Sequence, residues 1–238
     1  MSRIHPAVTN KSSELLREIH EGGRCDSNQC PSKFTVWKKS SMSFEGTDGF
    51  TVFDEYGRLT FRVDNYSRKN DRTGGGGGGL VLMDGSGKAL LTLRPKGLSM
   101  QRGWNAYGGD CTGRGQSRKF RLFSMRKSLA IPFLDYNSSY KDEAKPELEA
   151  EVFIGGSRGP EFRIEGSFRR RNCCIRRTST GEIVAKISRK RVNPKVLLSN
   201  EVFSLVVQPG LDNGLIMGFI VVLDRICCRP IGPLLCSC

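Results

Sequence analysis

Histidine is almost missing from this chain of 238 residues: only His5 and His20 occur, both near the N-terminus. Hydrolysis through a Cys-His or Ser-His pair would require one of them to fold back onto the remainder, and nothing in the sequence suggests this. Acidic groups such as Asp142-Glu143 and Glu147, Glu149 and Glu151 read as solvated charge in a loop rather than as a catalytic pair. No Cys-x-x-Cys spacing exists among the nine cysteines. Adjacent strand residues point to opposite faces, so Cys173 and Cys174 do not share one ion, and neither a metal nor a cofactor is expected. A long apolar run is lacking too. The longest, Gly214 to Leu223, is about half of what a bilayer span needs. The N-terminus has no secretory leader, which predicts an intracellular chain with reduced thiols, cytoplasmic, plasma-membrane-associated or nuclear. These absences argue for a non-enzymatic protein.

What is present is a buried helix in a β protein. Apolar residues of the Gly214 to Leu223 run fall on all faces, as in a helix surrounded by protein. Asp212 or Asn213 supplies its cap and Pro230 its stop, predicting a helix over 211–227. From Phe34 onwards the pattern has period two and is rich in Val, Phe, Leu and Thr, which predicts antiparallel strands. Three units share a strand, a four-residue turn ending in Gly, and a second strand. Their turns are Asp54 to Gly57, Asp84 to Gly87 and Thr178 to Gly181. Asp or Thr accepts from the backbone two residues on, and Gly supplies a positive φ. The whole reads as a meander closing into a barrel around the helix.

The domain is predicted over 33–228, after an N-terminal tail (1–32) and before a cysteine-containing tail (229–238). Gly74 to Gly79 is not a phosphate loop, because no Lys-Ser/Thr follows and Leu80 to Met83 continues as a strand. Residues 111–119 and 135–146 read as loops.

Charge is the strongest functional signal. Between Pro160 and Lys195 stand eleven basic residues against Glu161, Glu165 and Glu182, a net +8 within a total of +14. Arg169, Arg170, Arg171, Arg176, Arg177, Lys186, Arg189, Lys190, Arg191 and Lys195 are the candidate sites for an anionic phospholipid surface. Alternation puts Lys186, Ser188 and Lys190 on one strand face and Ile187, Arg189 and Arg191 on the other, so one set alone points outwards. No aromatic lies between Arg169 and Lys195 to stack a base, which disfavours nucleic acid. A protein-interaction scaffold with incidental charge is the alternative reading. Cys227, Cys228, Cys236 and Cys238, beside an apolar segment, are candidate acylation sites. A monomer is expected.

Several stretches carry a family resemblance: Phe34 to Ser40, Gly49 to Asp54, Phe61 to Tyr66, Leu82 to Asp84 with Gly87, and Trp104 to Tyr107. Gly166 to Phe168, Ala185 to Arg189 and Val207 to Asp212 with the apolar helix continue it. Together they resemble plant LURP-one-related proteins, over about Phe34 to Arg225. That family sits with tubby C-terminal domains and phospholipid scramblases. The resemblance therefore implies a twelve-stranded barrel around a hydrophobic C-terminal helix. It also implies phosphoinositide binding of the tubby kind, membrane tethering of a regulator and a link to plant defence. The glycine run, the 111–119 segment and the cysteine tail depart from the family pattern.

Overall fold

Period-two alternation gives each strand one face for a core and one for water. The computed structural model describes residues 30–39, 49–65, 79–97, 103–109, 120–128 and 147–227. Twelve strands follow one another: β1 (Ser32–Lys39), β2 (Gly49–Phe53), β3 (Leu59–Asn65), β4 (Leu80–Asp84), β5 (Ala89–Pro95), β6 (Gly103–Gly108), β7 (Arg121–Lys127), β8 (Leu148–Ile154), β9 (Phe162–Ser167), β10 (Asn172–Arg177), β11 (Ile183–Arg189) and β12 (Val202–Val207). Each pairs antiparallel with its chain neighbours, and β1 closes on β12 through Ser32↔Val207 to Trp37↔Val202. The closed barrel has no edge strand to protect. In chain order Val36, Val52, Val63, Leu82, Leu93, Ala106, Phe123, Val152, Ile164, Ile175, Ile187 and Leu205, one from each strand, are buried.

The barrel is filled by α1 (Asn213–Cys227). Asp212 is its cap: Oδ1 accepts from the N–H of Gly214 at 2.8 Å and of Leu215 at 3.1 Å. Asn213 Nδ2 donates to Ser32 Oγ at 3.2 Å, tying the helix entry to the start of β1. Residues on every face of α1 are buried, including Ile216, Phe219, Ile220 and Leu223. Each such side chain contributes about 1.5–3 kcal/mol on leaving water. Phe219 meets Phe123 edge-on at 4.7 Å between ring centres and Phe162 at 5.6 Å. At Gly218 the wall comes so near that a Cβ would lie 2.7 Å from Leu91 Cδ1. The helix is shorter than the predicted 211–227 because Asp212 accepts as cap and so stands outside the first turn.

The turns at the helix-entry rim follow the expected chemistry. Asp54 Oδ1 accepts from the N–H of Tyr56 and Arg58, and Asp84 Oδ1 from those of Ser86 and Lys88, all at 2.9 Å. The Ser86 hydroxyl and the Lys88 N–H hold the Asp84 carboxyl below the usual carboxylate range. Gly57 and Gly87 take φ of 77° and 93°. In the third turn Thr180, not Thr178, accepts from the backbone two residues on, at Glu182 N. Glu149 and Glu151 lie in β8 rather than in a loop. Glu151 pairs with Arg126 at 2.8 Å, and Glu149 Oε2 accepts from the Phe168 N–H. Residues 1–29, Gly74 to Gly78, 111–119, 135–146 and 228–238 lie outside the described residues.

Candidate functional site

Antiparallel order puts the β9–β10 turn and the β11–β12 connection on one rim, where α1 ends. Residues Phe168–Arg171 make the first. They bring Arg169 and Arg170 to the surface and turn Arg171 inwards, to 4% exposure. Three successive arginines looked equivalent in the sequence, and Arg171 does not belong to the exposed set. Its φ of 52° and the bond from its N–H to the Phe168 carbonyl at 3.0 Å tighten the turn and redirect its side chain. The guanidinium carbon then lies 4.2 Å from the ring centres of both Phe168 and Phe203. Nε donates to the Asn200 carbonyl at 2.8 Å, while Nη1 has no hydrogen-bond partner among the described residues. Cation–π contact on two rings offsets part of that desolvation.

Arg171 thereby joins the β9–β10 turn to the β11–β12 connection. Within the latter, residues 190–198 form a small hairpin. Arg191 and Leu197 make an antiparallel bridge, Leu198 N–H donates to the Lys190 carbonyl at 2.9 Å, and Val192 N–H to the Val196 carbonyl at 3.1 Å. Its tip is an Asx turn, in which Asn193 Oδ1 accepts from Lys195 N at 3.0 Å and Val196 N at 2.8 Å. Arg191 Nη1 donates to the Pro194 carbonyl and Arg189 Nη2 to that of Leu198. Lys190 is half-buried; Arg191 and Lys195 are exposed. No carboxylate among the described residues pairs with Arg169, Arg170, Lys190, Arg191 or Lys195.

Other predicted site residues serve the wall. Arg176 Nε binds Glu165 Oε2 at 2.8 Å and its Nη1 donates to the Gly181 carbonyl at 2.9 Å. Arg177 Nη1 stands 3.3 Å from Glu161 Oε1, with its guanidinium carbon 5.1 Å from the Phe162 ring centre. Ile187 is buried, so of the two faces of β11 the one with Lys186 and Ser188 points outwards. Lys186 is half-buried there, away from the rim and opposite Cys174 in register. Burial, with the Glu149 charge next, pushes the neighbouring Cys173 thiol up to about 12; burial also raises Cys174. Both are unlinked thiols. Cys227 packs its side chain against the core at the end of α1. Cys228, Cys236 and Cys238 lie outside the described residues.

Two features escaped sequence reasoning. The first is the hairpin tip, where Val192, Val196 and Leu197 are 67%, 47% and 37% exposed; Asn193-Pro194 was its turn signal. The second is a cleft of ≈ 260 Å³ on the outer wall, lined by Lys96, Arg121, Arg126 and Arg158 with Trp104 and Phe153. Its cations come from β7, which carries Arg121 and Arg126, and from the residues that follow β5 and β8, and form no run in the sequence. Arg126 is held by Glu151, and Arg121 Nε donates to the Gly155 carbonyl at 3.1 Å.

The architecture defines a class: a twelve-stranded antiparallel meander closed around a hydrophobic helix from its own C-terminal region. A crystal structure of an Arabidopsis thaliana protein shares this fold, with a TM-score of 0.52 and 22% identity over 82% of this chain and 91% of the other. The sequence pattern of the LURP-one-related family matches residues 32–224. Protein LURP-one-related 5 of Arabidopsis thaliana is 40% identical over 190 residues, 79% of this chain and 80% of that one. Protein LURP-one-related 17 is 34% identical over 208 residues, 86% and 84% of the two chains. The chain belongs to the LURP-one-related family. Among the described residues no helix is long and apolar enough to cross a membrane.

Proposed function

We propose that this protein is a non-enzymatic module that binds the surface of an anionic phospholipid membrane through one rim of its barrel and there serves as a tethered regulator. The observation that carries this reading is Arg171, whose buried guanidinium ties a turn presenting Arg169 and Arg170 to Asn200 and Phe203, at the end of the connection that carries the hairpin with Arg191 and Lys195. Basic groups fixed on one rim meet several phosphates at once, each contributing about 1 kcal/mol near an anionic leaflet. With the half-buried Lys190 added to these four, such binding reaches useful strength while remaining reversible.

A protein-interaction scaffold is the second reading. It is favoured by the pairing of Arg176 and Arg177 with Glu165 and Glu161, which shows that part of the basic segment serves the barrel wall. Co-sedimentation of the full chain with vesicles of phosphatidylcholine alone, or with phosphatidylserine or phosphatidylinositol bisphosphate added, separates the two. The membrane reading requires binding to the anionic vesicles that weakens with salt and falls at least about thirty-fold in R169E/R170E. Equal absence of binding to all three compositions sinks it and leaves the scaffold.

A further inference from the structure

The rim is not only basic. Its hairpin carries Val192, Val196 and Leu197 outwards, the first two-thirds exposed, and Lys195 and Arg191 alternate with them. Exposed aliphatic groups on a loop usually reflect poor order or a missing contact. Here the loop is tightly built: the Arg191↔Leu197 bridge, the Val192–Val196 and Leu198–Lys190 backbone bonds and the Asn193 turn fix its shape. The side chains at the tip are thus held away from the barrel by a backbone whose Val192, Lys195, Val196 and Leu198 N–H groups are bonded within the hairpin, which lowers the cost of bringing it to an apolar phase.

Trp37 adds a second observation. It is 47% exposed on the outer face of β1 and pairs in register with Val202, next to Phe203, which faces Arg189. The indole therefore stands near the same rim as the hairpin. Indoles favour the headgroup level of a bilayer, with the ring apolar and the N–H wet. Aliphatic tip, flanking cations and indole make the succession expected of a surface that dips past the phosphates.

We infer that the 190–198 hairpin dips its tip past the headgroups of an anionic bilayer, with the Val192, Val196 and Leu197 side chains at the acyl boundary, the charged groups of Arg169, Arg170, Arg191 and Lys195 at the phosphates, and Trp37 in the interface. The inference rests on the membrane reading above and specifies how that rim engages. Aliphatic burial supplies the part of the affinity that salt does not screen.

The chain's two tryptophans make the test direct, because Trp104 is 8% exposed and Trp37 is 47% exposed. The full chain is mixed with phosphatidylserine vesicles whose phosphatidylcholine carries brominated acyl chains. Trp emission should be quenched on binding, and W37F should bind without the quench. V192S/V196S, a neutral polar change at two exposed positions, should unfold thermally like wild type. At physiological salt, where charge is screened, it should lose about ten-fold in affinity. Co-sedimentation without quenching, with V192S/V196S binding like wild type at physiological salt, would overturn insertion and leave surface charge binding in place. Binding of V192S/V196S like wild type that excess oligonucleotide abolishes would overturn it too, marking a general polyanion surface. Failure to sediment with any anionic vesicle would overturn the membrane reading and the inference with it.

Discussion

The Nε of Arg171 donates to the main-chain carbonyl of Asn200 at 2.8 Å, across 29 residues of sequence. This one side chain is the brace between two rim segments, and it is buried from solvent. Replacing it with alanine removes two ring contacts and orphans a carbonyl, costing about 2–4 kcal/mol. Urea unfolding should show the loss as a lower midpoint with unchanged slope. Vesicle binding should also weaken in R171A, and R171K should restore little, because an ammonium does not stack on two rings while reaching Asn200 in plane.

Lys38 Nζ lies 3.2 Å from Asp224 Oδ1, a carboxylate whose side chain is 4% exposed near the end of α1. The contact is ionic rather than an aligned hydrogen bond. Because the lysine side chain is 21% exposed and the carboxylate 4%, the two partners are unequal. Lys38→Met leaves a buried charge uncompensated and should cost about 3 kcal/mol or more. A double variant K38M/D224N should be less destabilised than the sum of the singles, with a coupling of about 1–3 kcal/mol in a double-mutant cycle.

Gly166 sits at φ 100°, and a Cβ there would approach the Asn172 carbonyl oxygen to 2.4 Å. The obstacle is backbone and does not yield as a side chain would. Gly166→Ala should lower stability by about 2 kcal/mol or more. In a chain of this size that is a fall in Tm of about 4–8 °C, readable by calorimetry.

Cys173 is held protonated, its thiol pushed from the ordinary 9.0 to about 12 by burial and then by Glu149. Below pH 9 the thiol is protonated in both folded and unfolded chains and its environment contributes nothing that depends on pH. As pH rises from about 9 towards 12 the unfolded chain loses this proton and the folded one keeps it, so stability falls. Denaturant midpoints should therefore drop across that window, and the drop attributable to this group should vanish in C173A. At pH 8 a maleimide should leave Cys173 unmodified in the native state and label it only on unfolding, as peptide mass spectrometry would show.

Strand order was legible because it rests on local chemistry. Alternation in Phe50 to Phe53 and Val202 to Val207, carboxylates at Asp54 and Asp84, and the Asp212 cap each announce themselves within a few residues. The outward face of β11 follows from Ile187 by the same logic. The candidate site is different, because its parts are assigned by tertiary partners. Nothing within Arg169 to Arg171 marks the third arginine as the buried one; that depends on Phe203 and Asn200, about thirty residues away. Arg176 and Arg177 looked available because their carboxylates come from β9 and the turn before it, which adjoin them only once β9 and β10 pair. A charge count sees composition, whereas a binding surface needs the charges left after the fold has used its share.

The helix that fills the barrel comes after all twelve strands in the chain, and the closing pair joins Ser32 to Val207. A ribosome releases the wall before the plug. Until α1 emerges, the inward faces of the strands have no helix to pack on, and β1 must wait for a partner made last. Hydrophobic strands so delayed are an aggregation hazard, one that a chaperone would blunt during synthesis. A transcript cut short before Asn213 encodes a wall with no interior, and its product should appear as aggregate or as proteolytic fragments rather than as a smaller domain.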